Sequence, residues 1–194
     1  YSITNENKIR SNNSINNNDI VLKDNMILNN HPSIDLGAVS KGYATKEVGE
    51  MFDDNKVFNY IINAGGNVLV GKAYKKDKFS IGIESPTNNN DVYTVVKGNN
   101  ISVVTSGGYE RFYEYEGIKY HHIIDPDTLY PANNCLSVTV VTKDSAKADI
   151  LSTTLFLLPV DEALELVNKL DDVEAIFYVN DNKIIKSKGF NKYE

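Results

Sequence analysis

The stretch Ser137–Pro159 (SVTVVTKDSAKADILSTTLFLLP) combines two kinds of secondary structure. Its first six residues are rich in β-branched side chains and are typical of a buried β-strand. Asp144 or Ser145 can then cap a helix over residues 146–158, and the proline at the end of the stretch stops it. A buried strand followed at once by a capped helix predicts a domain in which sheets and helices pack together.

Working outward, short apolar runs separated by Gly, Asn and Pro predict further strands. They cover residues 58–62, 68–70, 79–83, 92–96, 101–105, 111–115 and 119–124. Apolar spacing predicts a helix of about four turns after Gly37, ending at Asp53 or Asp54, and a shorter helix over residues 161–170. A hairpin of residues 175–179 and 183–187 closes the chain. Many strands with a few helices predict an α+β fold.

The first thirty residues are crowded with asparagine and contain few apolar residues. Such a segment buries little surface, so we expect a partly mobile lead-in over residues 1–33. Within it, Asp19–Leu28 has enough apolar and β-branched residues for a short hairpin. The main domain is predicted to cover residues 34–194.

Bulk composition narrows the classes of function. With 194 residues, 41% of them hydrophobic, the chain can bury one core and is most simply one domain. A net charge of −6 without a basic stripe argues against a nucleic-acid partner. No apolar run approaches the ~20 residues that span a bilayer. A lone cysteine, Cys135, excludes an internal disulfide and a multi-cysteine metal site.

The segment Asp35–Ala44 (DLGAVSKGYA) is the first candidate for chemistry. Gly37 allows close backbone approach where a helix begins, and free N–H groups at a helix start attract anions. Lys41, about one turn inside, can add charge to a phosphate. The alternative is a capped helix with an exposed lysine.

A second candidate joins Thr105–Gly108 to the pair His121 and His122. We expect Thr105–Gly108 to form a small turn whose hydroxyl and N–H groups can hold a ligand. In a hairpin around Glu116-Gly117, strand alternation places the histidines on opposite faces, so that one enters a site and the other meets solvent. Histidine titrates near neutrality and can act as a general base. The alternative is a pair of partly exposed sheet histidines.

The third candidate lies on the helix of the opening stretch. Asp149 and Thr153 are four residues apart and share one helix face. A carboxylate and a hydroxyl are hard oxygen donors of the kind that Mg²⁺ takes alongside phosphates and water. The alternatives are an exposed helix acid and a threonine bonded back to its own helix. The apolar residues around Asp149 favour burial, and a buried carboxylate needs a cation.

Taken in order, these segments resemble the ApbE family. The matching motifs are Asp35–Ala44, Asn63–Asn67, Thr105–Arg111, His122–Pro131 and Asp149–Thr153. Two positions depart from the usual pattern: Ser40 replaces alanine, and Leu129 stands where glycine is commoner. The resemblance implies an ApbE-like, T-fold-related α+β fold of mixed sheets with a few packing helices.

The resemblance also implies an activity: Mg²⁺-dependent transfer of FMN from FAD to a threonine or serine hydroxyl of a target flavoprotein, with release of AMP. The alternatives are hydrolysis of FAD to FMN and AMP, and FAD binding without turnover. Family membership implies an extracytoplasmic setting, with any lipid anchor outside this chain. We also expect the family's N-terminal region, with part of the flavin site, to be missing here.

Site roles follow from the same resemblance. Asp149 and Thr153 match the Mg²⁺ ligands, with main-chain oxygens near Ala38 and Ser152 completing the set. The residues expected to contact FAD are Lys41, Ile124, Thr105, Ser106 and Gly107. His122 matches the histidine that takes the proton from the acceptor hydroxyl.

Overall fold

The computed structural model describes residues 20–24, 26–29, 35–87, 91–109, 111–179 and 183–194. The chain divides into two compact units, residues 1–36 and residues 37–194. Within the described ranges, no helix is long and apolar enough to cross a membrane.

The first unit contains an antiparallel hairpin of β1 (Ile20–Lys23) and β2 (Met26–Asn29). Asp24, in the turn between them, has a positive φ of 50°. The hairpin confirms the prediction made from Asp19–Leu28. The remainder of the predicted asparagine-rich lead-in lies outside the described residues.

The second unit contains the other elements. In chain order they are α1 (Ser40–Asp54), β3 (Ile61–Asn63), β4 (Asn67–Val70), β5 (Phe79–Glu84), β6 (Val92–Gly98), β7 (Ile101–Gly107), β8 (Phe112–Tyr115), β9 (Ile118–His121), β10 (Ser137–Thr142), α2 (Ser145–Leu157), α3 (Val160–Val167), β11 (Glu174–Tyr178), β12 (Ile184–Lys186) and a C-terminal 3-10 helix (Phe190–Tyr193). Six strands form one antiparallel sheet in the order β12-β11-β10-β7-β4-β3. The pairs β5-β6 and β8-β9 form separate hairpins.

Two apolar clusters cover the two faces of this sheet, because side chains alternate along each strand. On one face, which we call the helix face, α2 and α3 pack on the sheet. The other, the hairpin face, is covered by β5, β6 and the 3-10 helix. In β10, Val138 and Val140 belong to the helix face and Val141 to the hairpin face. All six residues of β10 are buried, which explains its continuous β-branched run.

The opening stretch behaves as its sequence predicts. Strand β10 has the predicted bounds, and Asp144 caps α2 by accepting a hydrogen bond from the backbone N–H of Lys147 at 2.9 Å. Helix α1 and the two predicted hairpins, β8-β9 and β11-β12, are also confirmed. The α+β class is therefore confirmed.

Four elements differ from the prediction. Strand β3 starts at Ile61 rather than residue 58, β9 ends at His121 rather than residue 124, and α3 ends at Val167 rather than residue 170. The segment Thr105–Gly107, predicted to be part of a turn, is the end of β7. The small residues and glycines of this segment suggested a turn. The prediction was wrong because β7 pairs with β10 as far as Gly107, which lies opposite Ser137.

Candidate functional site

Asp149 lies on α2 and is only 4% exposed. Its Oδ2 accepts a hydrogen bond from the backbone N–H of Gly42 at 2.7 Å. Gly42 is the third residue of α1, and the residue that precedes this helix, Val39, provides no side-chain cap. The carboxylate of one helix therefore caps the start of another.

Burial raises the pKa of the Asp149 carboxyl above its ordinary value. The hydrogen bond from Gly42, the charge of Lys41 and the amide of Asn67 each lower this pKa but do not cancel the effect of burial. Lys41 Nζ itself donates to the carbonyl of Gly65 at 3.2 Å. Within the described part of the chain, no Lys, Arg or His forms an ion pair with Asp149.

Hydroxyl groups converge beside this carboxylate. Ser106 Oγ, at the end of β7, lies 2.8 Å from Ser152 Oγ and 3.5 Å from Thr153 Oγ1. Ser152 Oγ donates to the main-chain oxygen of Asp149 at 2.9 Å. These contacts join the end of the central strand β7 to the Asp149–Thr153 turn of α2.

The donor set fits a magnesium ion better than a transition metal. No cluster of three or more His, Cys, Asp or Glu side chains occurs in the described ranges. One buried carboxylate with neighbouring hydroxyl and main-chain oxygens is the hard-oxygen set that Mg²⁺ accepts when phosphates and water supply its other ligands. Asp149, Thr153 and Ser152 lie together on α2, and Ala38 lies just before the helix start that Asp149 caps.

Asn67 is a site residue that the sequence reasoning did not assign to any role. It is fully buried at the start of β4, and its Oδ1 accepts a hydrogen bond from Ser145 Oγ at 2.8 Å. Its Nδ2 has no hydrogen-bond partner among the described residues. Its place at the end of the Asn63–Asn67 turn was visible in the sequence, but its contact with α2 was not.

The side chain of Thr105 does not reach the hydroxyl groups of Ser106, Ser152 and Thr153. Its hydroxyl lies 2.8 Å from that of Thr139, on the hairpin face, because Thr105 and Ser106 alternate along β7. Its backbone N–H donates to Gly66 O at 2.9 Å. Gly107 is buried, and a Cβ there would collide with the ring of Tyr109. The contacts of these residues with FAD stay a prediction.

The predicted alternation of the two histidines along one strand was wrong, because β9 ends at His121 and His122 lies in the bend that follows it. The burial of His121 is also the reverse of the expectation. His121, expected to face solvent, is partly buried: Nε2 donates to Ala132 O at 2.7 Å and Nδ1 accepts from the N–H of Ile123 at 3.3 Å. Burial lowers the pKa of its imidazole. His122 is exposed, with Nδ1 3.3 Å from Arg111 O. Its role as a base stays a prediction.

The loop after the histidines holds Ile124 and Leu129. Ile124, 45% exposed, forms an isolated antiparallel bridge with Pro131. Asp125 N donates to Tyr130 O at 2.9 Å, and Leu129 has a φ of +62°. Glycine adopts such a conformation without steric cost, which explains why glycine is commoner there in the resembled family.

Curated proteins resemble this chain in sequence. The chain is similar to the FAD:protein FMN transferase of Klebsiella pneumoniae, with 38% identity over 79% of this chain and 48% of that protein. It is 32% identical to the FAD:protein FMN transferase of Treponema pallidum over 80% of this chain and 46% of that one. The chain thus spans about half the length of the curated relatives it matches.

Solved structures support the same relationship. The ApbE protein of Thermotoga maritima has a TM-score of 0.83 and 30% identity, covering 91% of this chain and 59% of that one. A flavin transferase ApbE from Vibrio cholerae has a TM-score of 0.79 and 25% identity, covering 91% and 58%. The ApbE family model matches residues 3–177, a range that includes every motif identified in the sequence. By sequence and by fold, the chain belongs to the ApbE family.

Proposed function

We propose that this chain carries the metal and phosphate side of an FMN-transferring site. Its reaction is transfer of FMN from FAD to a threonine or serine hydroxyl of a flavoprotein. The observation that carries the proposal is the buried Asp149 carboxylate, which has no ion-pair partner in the described ranges, accepts from the start of α1 and lies one helical turn before Thr153, whose hydroxyl neighbours that of Ser106. Relatives that share about a third of its sequence are named FAD:protein FMN transferases.

The start of α1 and Lys41 would hold the negatively charged pyrophosphate of FAD. Asp149 and Thr153, with main-chain oxygens near Ala38 and Ser152, would hold Mg²⁺. When bound, Mg²⁺ supplies charge neutralisation and orientation of the pyrophosphate. Phosphoryl transfer depends mainly on these two effects, so a single carboxylate with neutral oxygens is a sufficient protein contribution.

The remaining candidates would shape the flavin pocket. Ser106 lies next to Thr153, and Ile124 exposes an apolar side chain on the loop after the histidines. Thr105 would contribute through its backbone, because its hydroxyl is directed to the hairpin face. Gly107 would contribute through its backbone at the end of β7, because the ring of Tyr109 fills the space beside its Cα.

His122 would remove the proton from the acceptor hydroxyl. The hydroxyl oxygen then forms a bond to the FMN phosphorus, the bond between that phosphorus and the bridging oxygen breaks, and AMP leaves with that oxygen. An exposed histidine suits this role because the acceptor is a side chain of another protein, which has to reach it from solvent.

We further propose that the partner is a flavoprotein subunit with a threonine or serine modification site, and that the protein works outside the cytoplasm, held at the membrane by a lipid anchor. Both proposals rest on the family resemblance. Protease accessibility of the protein in intact cells tests the location, since a cytoplasmic protein would be protected.

The activity is tested by incubating the purified chain with FAD and Mg²⁺ and measuring AMP by chromatography, with and without a threonine-containing acceptor flavoprotein. Transfer predicts AMP and a fluorescent, covalently flavinylated acceptor in equal amounts, and both are lost in EDTA. AMP with free FMN only would indicate a pyrophosphatase. FAD binding without AMP would indicate a binding module and contradict the proposal.

A further inference from the structure

Asn67 is a fully buried polar side chain near the Asp149 carboxylate. It is 0% exposed and lies on β4, on the side of the sheet that α2 covers. Its Oδ1 accepts from Ser145 Oγ at 2.8 Å, which fixes the orientation of the amide. The opposite end, Nδ2, carries two protons and has no hydrogen-bond partner in the part of the chain that the structure describes. A buried amide donor without a partner is costly, so it calls for an explanation.

The neighbours of Asn67 place it beside the carboxylate. Ser145, which holds the amide, and Asp149 are four residues apart on α2 and therefore share one face of that helix. Gly42 packs against both of them: a Cβ there would collide with Ser145 O and would lie 2.5 Å from Asp149 Cβ. The amide, the carboxylate and the start of α1 thus meet in one buried corner.

We propose that Asn67 is a positioning residue for Asp149: its Nδ2, which has no partner in the described structure, turns to the carboxylate in solution, donates to it and holds it in the orientation that binds Mg²⁺. This inference rests on the proposed function. Asn67 is not itself a suitable ligand, because its oxygen already accepts from Ser145 and Mg²⁺ prefers oxygen to amide nitrogen.

In this arrangement the carboxylate is held by donors from two other elements, Gly42 N–H of α1 and Asn67 Nδ2 of β4, while its own backbone belongs to α2. Hydrogen bonds from outside the ligand set commonly orient a metal-binding carboxylate, and their removal costs roughly 10–100-fold in metal affinity. Because Asn67 lies on β4, the position of this strand in the central sheet would affect the affinity of the site for Mg²⁺.

The contact itself is tested without metal or substrate by a double-mutant cycle in EDTA. The melting temperatures of the parent chain, Asn67→Ala, Asp149→Ala and the double variant are compared. A direct contact predicts that the double variant loses less than the sum of the two single losses. Additive losses would overturn the proposal. If Asn67→Ala does not fold, Asn67→Ser takes its place in the cycle, because serine keeps a small polar side chain.

The consequence for the metal is tested by calorimetric titration with Mg²⁺ alone. Asn67→Ala should weaken Mg²⁺ binding roughly 10–100-fold, and raised Mg²⁺ should restore most of the AMP release from FAD. The matched control is Ser137→Ala, which removes another fully buried side chain without a hydrogen-bond partner in the described residues, in β10, and should leave Mg²⁺ affinity unchanged. Equal weakening in both variants would mean general loosening and would overturn the proposal.

The two tests also separate this inference from the proposed function. A chain that neither binds Mg²⁺ nor releases AMP would contradict the proposed function, while non-additive melting temperatures would still establish the Asn67–Asp149 contact. A chain that is active and binds Mg²⁺ equally well with and without Asn67 would contradict the positioning role alone.

Discussion

The buried corner of Asp149, Asn67 and Gly42, which we call the Asp149 corner, differs from the β8-β9 hairpin in how it is held. The first belongs to the proposed metal site, and the second precedes the proposed base. Asp149 is 4% exposed, its carboxylate accepts from Gly42 of α1, and Ser152 on the same helix contacts Ser106 of β7. In contrast, every residue of β8 is exposed, and the hairpin strands pair with each other rather than with the main sheet. The proposed metal site is thus built into the core, whereas the predicted base, His122, lies just after an exposed hairpin.

The hairpin is nevertheless held by specific contacts. Tyr113 and Tyr120 stack across its two strands, with ring centroids 5.2 Å apart and planes 10° from parallel. At its root, His121 donates to Ala132 O and meets the ring of Phe156 edge-on, with centroids 5.6 Å apart. His121 therefore anchors the hairpin, and its neighbour His122 stays exposed.

The comparison suggests a division of labour. Orienting a metal and a pyrophosphate requires groups that do not move, which burial and hydrogen bonds provide. Receiving a hydroxyl from another protein requires access from solvent, which a projecting hairpin provides. The following variants test this division, from the largest expected effect to the smallest.

Asp149→Asn should abolish Mg²⁺-dependent AMP release, because the metal loses its anionic ligand while the amide oxygen can still accept from Gly42 N–H. AMP formation from FAD is measured over a range of Mg²⁺ concentrations. The control is Asp161→Asn, an exposed acid in the first turn of α3, which should leave the rate unchanged. Full activity with the same Mg²⁺ dependence in Asp149→Asn would remove this residue from the metal site.

His122→Ala should lower the rate of FMN transfer on the order of 10²–10⁴-fold, the usual contribution of a general base. His121→Ala should lower the melting temperature, because it removes the anchor to Ala132 and Phe156, and should affect transfer far less. Transfer rate and melting temperature are measured for both variants. Equal losses of rate would show that the hairpin is needed only as an intact unit.

Gly42→Ala should destabilise the protein by about 1–3 kcal/mol, because a methyl group there collides with Ser145 O and Asp149 Cβ and forces α1 away from α2. Chemical denaturation measures the loss. Gly49→Ala, further along the same helix, is the matched control: its closest neighbour is Leu69 Cδ2, the end of a flexible side chain. A loss no larger than in Gly49→Ala would mean that the corner yields easily and is not rigid.

Leu129→Gly should stabilise the protein slightly. A left-handed conformation costs an ordinary residue roughly 1–2 kcal/mol, and the greater freedom of glycine in the unfolded chain returns roughly 0.5–1 kcal/mol of that. Leu129 has a φ of +62°, and its 39% exposure means that the loss of partial burial keeps the expected gain small. Denaturation should show a gain, whereas Ile118→Gly, in an exposed strand of the hairpin, should show a loss. A loss in both would mean that the loop depends on the leucine side chain.

The sequence by itself determined the elements whose signals are local. The strand Ser137–Thr142, the helix capped by Asp144 and the hairpin turn at Glu116-Gly117 follow from β-branched runs, capping residues and glycine, and the structure reproduces them. The pairing of Asp149 with Thr153 on one helix face also follows from helix periodicity alone.

Only the tertiary structure decided which residues meet across the chain. The contact of Gly42 with Asp149 spans 107 residues and that of Asn67 with Ser145 spans 78, and no local pattern encodes either one. Strand pairing extended β7 through the predicted turn and sent Thr105 and Ser106 to opposite faces. Packing against Phe156 turned His121 inward, and β9 ends at this residue, so that His122 lies in the exposed bend beyond the strand.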